Sequence, residues 1–568
     1  MKLPLALNLL SSFAFLNVAS ASAETSAAKA AATLPNILIF LADDLGYADI
    51  GVNGCKDIPT PNIDSIAKNG VRFTDGYATH CVCSPSRAGL MSGMYQHRFG
   101  FEHNSGPERY ADPNFGQPRE IPTLAEKLKT AGYATGMIGK WHIGFKEGLR
   151  PHERGFDYHF GFLSGARTYL PGQSDNDPIV RNGEPVTTTK YLTDEFADEA
   201  VGFIERSQGT KNEEPATKNS AKPFFLYFAF NAVHSPMDAN PYSAALSGIA
   251  DEKRRTYGGM LSGLDAAVGK VLAKVRELGQ EDNTLIFFYS DNGGPTHQTT
   301  SRNDPLRGEK GQFYEGGIRV PFLMQWKARV KAGGTYTQPV MGFDFHATAL
   351  AAAHSSHLAP RDEPNAPQTN NATSSSKAPS TDNASSSSRR SEMATLDGID
   401  LLPYLLGEKT TAPHEFLCWR AGAQKAIRMG DWKLVQTPRE STAQLFNLKT
   451  DLSETNDLAA KEPAKFTELA AKFAEWEKGT QPAKWVRQDA RNAEAGGTAK
   501  AGSAPRSPAK ATTRVDDAFK KADTNNDGKL TREEYPQKDL FDAVDANKDG
   551  HATLEEVRTY YRSKRSAK

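Results

Sequence analysis

The chain has 568 residues, with 68 Lys and Arg against 68 Asp and Glu, so its formal net charge is zero. That balance excludes binding to nucleic acid through one general basic field, which needs a cationic footprint. The length suggests about three to four domains, 47 Gly and 33 Pro exclude a collagen-like or wholly disordered chain, and four Cys make no disulfide framework at this size.

Lys2 precedes an apolar stretch over residues 3–18, interrupted by Pro4, Asn8 and Ser11-Ser12, and Ala21-Ser22-Ala23 has the A-x-A form of a cleavage site. We expect a signal peptide over 1–23, cleaved near Ala23, and an exported product that is periplasmic or secreted. The stretch is too short to span a bilayer. No later run reaches the roughly 18 apolar residues a span needs, so no transmembrane segment is expected in the mature chain.

Residues 36–42 (NILIFLA) form a continuous apolar run, the signature of a strand buried on both faces. Residues 61–70 show helical spacing closed by glycine. Further strands are expected at 134–138, 224–230 and 285–290, with helices at 123–131 and 255–278. This alternation predicts a large α/β domain over 34–354, with a mostly parallel sheet flanked by helices. Residues 355–392, rich in Ser, Thr, Asn, Ala and Pro, bury too little apolar area to offset chain entropy, and we expect a disordered insertion there. Residues 207–222 read similarly. Short strands at 414–419, 425–428, 432–436 and 444–447, then a helix near 464–478, predict a small antiparallel α+β subdomain over 393–485. A linker over 491–513 leads to a separate module at 514–562.

Every buried strand is followed by polar groups: Asp43 and Asp44, Lys140 and His142, His234, and Asp291 and Asn292. Ligands of open α/β sheets sit at the carboxyl ends of strands, so four such strands predict one convergent site. Three carboxylates and an amide make a hard, oxygen-rich cation site suited to Ca²⁺ or Mg²⁺, with export favouring Ca²⁺. The absence of a His/Cys tetrahedral set argues against zinc. Taken singly, each group also reads as a turn, a strand end or a structural histidine. Their joint placement decides.

The segment Cys83-Ser84-Pro85-Ser86-Arg87-Ala88-Gly89 resembles the C-x-P-S-R signature of type I, formylglycine-dependent sulfatases of the alkaline phosphatase superfamily. Gly132–Trp141 with His142, Val233-His234-Ser235-Pro236, Asp291-Asn292-Gly293, Arg307-Gly308-Glu309-Lys310 and Glu315-Gly316-Gly317 resemble further sulfatase blocks, in order, and the likeness covers roughly 34–478. It implies an alkaline-phosphatase-like fold. It also implies that a maturation enzyme converts Cys83 to formylglycine, whose hydrate attacks sulfur with one oxygen and releases sulfate through the other. Asp43, Asp44, Asp291, Asn292 and the matured Cys83 would hold the metal; Arg87, Lys140 and Lys310 would clamp the anion. His142 would take the proton that permits collapse to the aldehyde, and His234, with Lys310, would serve the leaving alcohol. Ser164 would lie behind the site.

Residues 155–171 look like arylsulfatases related to N-acetylgalactosamine-6-sulfatases, with Arg167, Tyr169 and His297 as candidate substrate contacts. The expected substrate is a sulfated carbohydrate or an aryl sulfate. Two alternatives stand beside this reading: a phosphonate monoester or phosphodiester hydrolase of the same superfamily, and a non-catalytic calcium-dependent glycan-binding protein with Cys83 unconverted. Cys81, out of register for maturation, is either a free thiol or a disulfide partner for Cys55 or Cys418.

The tail repeats a twelve-residue calcium loop of EF-hand type. Asp523, Asn525 and Asp527 fill its first, third and fifth places, Lys529 the seventh, and Glu534 the last; Asp545, Asn547, Asp549, His551 and Glu556 repeat the pattern 22 residues on. A structural or adhesive calcium module is expected, binding up to two Ca²⁺.

Overall fold

The computed structural model describes residues 34–104, 112, 114–172, 178–209, 222–354, 396–438, 440, 442–485, 519, 522–525, 527–535 and 538–566. The expected signal peptide, the insertion at 355–392, the linker at 491–513 and most of 207–222 lie outside the described residues. The chain divides into two compact units, Met1–Gln488 and Asp489–Lys568.

The first unit is built on a ten-stranded sheet. Its strands run in the order Gly334–Tyr336, Val71–Phe73, Phe322–Gln325, Thr284–Ser290, Asn36–Ala42, Phe224–Ala229, Ala134–Lys140, Tyr158–Phe162, Ile179–Arg181 and Glu184–Val186. The four strands read from apolar runs are consecutive neighbours at its centre, and all three pairings between them are parallel. Antiparallel strands flank them, Phe322–Gln325 against Thr284–Ser290 on one side and Ile179–Arg181 against Tyr158–Phe162 on the other. The continuous apolar pattern follows from two-sided burial. In the first strand Ile37, Ile39 and Leu41 join one core while Leu38, Phe40 and Ala42 join the other. Each such large side chain contributes about 1.5–3 kcal/mol by leaving water.

Helix ends differ from expectation where caps decide. Thr123 stays outside its helix, Leu124–Thr130, because it accepts from the Glu126 N–H at 3.1 Å while Glu126 reaches back to the Thr123 N–H at 2.6 Å. The long helix starts three residues early, at Glu252–Glu277, because Asp251 accepts from the Arg254 N–H at 2.6 Å.

The small subdomain is a four-stranded antiparallel sheet, Leu417–Ala421, Gln424–Met429, Trp432–Gln436 and Gln444–Asn447, covered by the helix Pro463–Glu477. Its first strand begins later than expected because the His414 ring is drawn to buried Asp344, 2.9 Å away. Buried ion pairs lock this sheet to the large one. Lys433 lies 2.7 Å from Glu315 and 2.9 Å from Glu454, and Arg428 lies 2.6 Å from Asp75. Glu454 in turn accepts from the Glu315 N–H at 2.6 Å.

In the second unit, Lys529–Thr531 pairs antiparallel with His551–Thr553, bringing Leu530 opposite Ala552. Phe519, Tyr535, Phe541, Val544 and Val557 pack with that pair into a small core.

Candidate active site

The first strand ends at Ala42, and the chain turns abruptly through Asp44, which has a left-handed φ of 64°. That turn aims two successive carboxylates at one place, and neither Asp43 nor Asp44 is more than 1% exposed. The Asp43 N–H donates to the Ala232 carbonyl and the Val233 N–H to the Asp43 carbonyl, so the loop carrying His234 is sewn to the strand end. The Asp44 N–H donates to Asp291 Oδ1 at 3.3 Å.

Cys83 opens a ten-residue buried helix, Cys83–Ser92, whose N-terminal end faces these carboxylates. Its Sγ lies 3.5 Å from Asp43 Oδ1 and 4.0 Å from Asp44 Oδ1. The helix start is pinned from outside: the Ser84 N–H donates to Asn104 Oδ1 at 2.9 Å, and the Ser84 hydroxyl donates to the His142 carbonyl. The second contact steadies His142 in a left-handed conformation, φ 63°.

Three cations neutralise the carboxylates. Lys140 Nζ lies 2.6 Å from Asp43, Lys310 Nζ 2.7 Å from Asp44, and Arg87 pairs with Asp291 at 2.8 Å while donating to the Lys140 carbonyl at 2.7 Å. Burial raises the Cys83 thiol, but Lys140 and Lys310 more than reverse this and bring it down to about 7. At Cys81 burial prevails over the opposing pull of backbone N–H groups and of Lys310, and the thiol is pushed up. Burial, then Lys140 and Arg87, hold the His142 imidazole far below its ordinary value, and its Nδ1 has no hydrogen-bond partner. The His234 imidazole moves the other way, since Asp44 and Asp43 outweigh burial. His234 Nδ1 lies 2.6 Å from the Ser235 carbonyl, which only accepts, so Nδ1 carries the hydrogen and Nε2 faces Asp44 Oδ2 at 3.6 Å.

Asp43, Asp44, Cys83 and His234 offer atoms that all lie within 4.8 Å of one another. The expected ligands Asp291 and Asn292 adjoin this group. Asp291 is shared with Arg87, and Asn292 Nδ2 donates to Asp44 Oδ1 at 2.7 Å, leaving its own Oδ1 buried and unpartnered. An orphaned buried acceptor beside two carboxylates fits a hard divalent cation. The turn carrying Asn292 is held by close backbone packing: a side chain at Gly293 would meet the Gly316 carbonyl at 1.9 Å.

Among the looser expectations, Ser164 is half-buried and donates to the Ala166 carbonyl at 3.1 Å. Arg167 is buried at 6% exposure, whereas the His297 side chain is 89% exposed and pairs with Glu309 at 2.9 Å. Tyr169 is corrected: it is wholly buried, with its hydroxyl on main-chain carbonyls, and offers no surface to a substrate. All four cysteines are free thiols, so Cys81 bridges neither Cys55 nor Cys418. Asn104 and Gln298, which donates to the Ser235 hydroxyl at 2.8 Å, are missing from the sequence-based site. No motif marks either of them.

In the tail unit the two loops repeat one geometry. Asp523 accepts from the Asp527 and Gly528 N–H groups at 3.1 and 2.9 Å, and Asp545 from those of Asp549 and Gly550 at 3.2 and 3.0 Å. Glu534 and Glu556 accept from Thr531 and Thr553 N–H at 3.0 and 2.9 Å.

A parallel-sheet rim that crowds carboxylates, cations and a helix N-terminus around one buried residue defines a hydrolase for an anionic ester. The chain belongs to the sulfatase family: residues 35–355 match the Sulfatase profile, and residues 515–535 and 538–559 match EF hand. It is 31% identical to N-acetylgalactosamine-6-sulfatase of Canis lupus familiaris over 70% of this chain and 71% of that one. To arylsulfatase J of Mus musculus it is 29% identical, over 82% and 79%. A solved structure, Ps i-CgsB in complex with k-i-k-neocarrahexaose, matches with TM-score 0.68 and 33% identity, covering 81% of this chain and 96% of that one. The fold is therefore alkaline-phosphatase-like, and the enzyme hydrolyses sulfuric esters. No helix among the described residues is long and apolar enough to cross a membrane.

Proposed function

We propose that this sulfatase is exported and removes sulfate from a carbohydrate, using formylglycine derived from Cys83 and a Ca²⁺ ion held by Asp43, Asp44, Asp291 and Asn292. The observation that carries the reading is the position of Cys83, at a buried helix N-terminus 3.5 Å from Asp43 and within the field of Lys140 and Lys310. Carbohydrate is favoured because relatives are named N-acetylgalactosamine-6-sulfatases and one similar structure holds a neocarrahexaose. Mg²⁺ suits the same oxygens; the exported setting favours Ca²⁺.

Bound there, the cation would supply Lewis-acid polarisation of a sulfate oxygen, and hydrated formylglycine would supply the paired oxygens for attack and release. The chain's own residues do the rest. Lys140, Lys310 and Arg87 hold the oxygens of the transferring group, already oriented by Asp43, Asp44 and Asp291. His142, kept neutral by burial and neighbouring cations, is the base. His234, with Nδ1–H given to Ser235, exchanges a proton through Nε2 and serves the leaving alcohol with Lys310. The EF-hand pair binds up to two further Ca²⁺.

Mass spectrometry of the Cys83 peptide from native-host protein tests the nucleophile: an aldehyde is expected, and an intact thiol overturns it. Rates on a sulfated oligosaccharide, an aryl sulfate and an aryl phosphonate test the chemistry. Preference for the phosphonate would move the enzyme to a sister activity. A mature N-terminus near Glu24 in the exported fraction tests the compartment.

A further inference from the structure

The Tyr169 ring stacks on Tyr191 with centroids 5.5 Å apart, and its hydroxyl lies 2.6 Å from the Asn231 carbonyl and 2.8 Å from the His234 carbonyl. Carbonyls only accept, so the hydroxyl donates and its hydrogen is shared between them. Burial, then Tyr191 and the nearby carboxylates, raise this phenol well above its ordinary range and keep it a donor. The residues around it tighten the same grip. Thr168 Oγ1 and the Tyr169 N–H both donate to Asp238, at 2.6 and 2.8 Å, so positions 168–169 hold the segment on both sides of His234. The opposite edge of that segment is bonded to the Asp43 main chain. Between these two anchors the His234 ring has its Nδ1 committed to Ser235, leaving Nε2 on the Asp44 side.

We propose that Tyr169 is a positioning residue for His234: its hydroxyl fixes the His234 main chain so that Nε2 is presented to the oxygen of the departing alcohol. The proposal rests on the reading of His234 as the group that serves that alcohol. A sugar alkoxide is a poor leaving group and needs the proton as the S–O bond breaks, whereas a nitrophenolate departs without it. Misplacing His234 by a fraction of an ångström therefore harms sugar sulfates far more than activated aryl sulfates.

The test compares Tyr169→Phe, His234→Ala and the double variant on a sulfated oligosaccharide and on aryl sulfates of graded leaving-group pKa. Tyr169→Phe should lower kcat on the oligosaccharide by about ten- to a hundredfold. It should leave KM alone and change the nitrophenyl sulfate rate less than about threefold, steepening the leaving-group dependence. In the double variant the Tyr169 change should add nothing to His234→Ala. An equal loss on all substrates, or none, overturns the proposal; if His234→Ala still shows the leaving-group dependence, the reading of His234 survives. A flat response of His234→Ala overturns both. Should Tyr169→Phe fail to fold, Asp238→Asn loosens the same segment from its far end. The same selective loss is then expected, and a uniform one overturns the proposal.

Discussion

The strand-end rim of the first unit and the EF-hand loops of the second both gather Asp and Asn oxygens, yet they are made in opposite ways. The rim draws its groups from positions 43 to 310, buries them, and gives the carboxylates cations of the protein's own at 2.6–2.8 Å. Each loop draws its oxygens from twelve consecutive residues, leaves the Asn and Asp of its third and fifth places exposed, and satisfies them with N–H groups of the same loop. Charge in the rim is balanced by the protein's own side chains, three carboxylates against Lys140, Lys310 and Arg87. Charge in the loops is answered mainly by N–H groups, with Lys529 and His551 adding to the pull on Asp549. Repulsion between close carboxylates is the quantity that differs.

Breaking the rim should have the largest effect. Cys83→Ala is expected to lower turnover by at least about 10⁴-fold, the scale of losing a covalent nucleophile, with an unchanged circular dichroism spectrum; residual activity within tenfold would defeat the assignment. Next comes the buried link behind the rim. Lys433→Met takes the cation from Glu454 and leaves Glu315 with Arg319, and should destabilise the first unit by about 3–5 kcal/mol in urea unfolding, whereas removing a surface lysine such as Lys190, as a control, should leave the transition nearly unchanged. Chelation sharpens the comparison between units. EDTA should abolish turnover and lower the melting point of the second unit, while the first unit's transition moves little; a large shift of the first would show that its balance depends on the ion. Asp523→Ala with Asp545→Ala should remove up to two Ca²⁺ from the titration stoichiometry and leave the rate on a small soluble substrate within about twofold.

The smallest expected effect concerns pH. Burial, opposed by Lys433 and reinforced by Glu315, pushes Glu454 up to about 7. The folded chain thus holds a proton that the unfolded chain releases near 4.5. The stabilisation is complete below that value and is lost as pH rises through 7. Glu454→Gln, which resembles the protonated form, should flatten the fall in melting temperature between about pH 5 and 8. An unaltered slope would assign it elsewhere.

The central strands were legible because two-sided burial demands an unbroken apolar run, and the rim because polar groups follow each run. The flanking strands were not: Phe322–Gln325 and Val71–Phe73 are short, and their pairing depends on neighbours far away in sequence. Caps shifted helix boundaries at Thr123 and Asp251 by local hydrogen bonds that periodicity does not register. The family was legible in the blocks around Cys83 and Lys140, but the division of labour within the site did not follow from residue types. Nothing in the order of residues says that Arg87 claims Asp291, that Asn104 holds Ser84, or that Tyr169 turns inward to His234 rather than outward. Such links join positions tens to hundreds of residues apart and leave no spacing to read.

Cys83 is 1% exposed, and that has a bearing on timing. The Glu315 turn that backs Gly293 obtains its counter-ion, Lys433, and its second carboxylate, Glu454, from near the end of the first unit. A ribosome delivers the Cys83 segment hundreds of residues earlier, so the thiol emerges well before the chain can close over it. On the proposed reading, an enzyme that modifies Cys83 would have to work in that interval, because the side chain is buried once the first unit has folded. Maturation, if Cys83 is the formylglycine precursor proposed above, would compete with folding for one side chain. A variant that closes faster would yield more protein that is perfectly folded and inert.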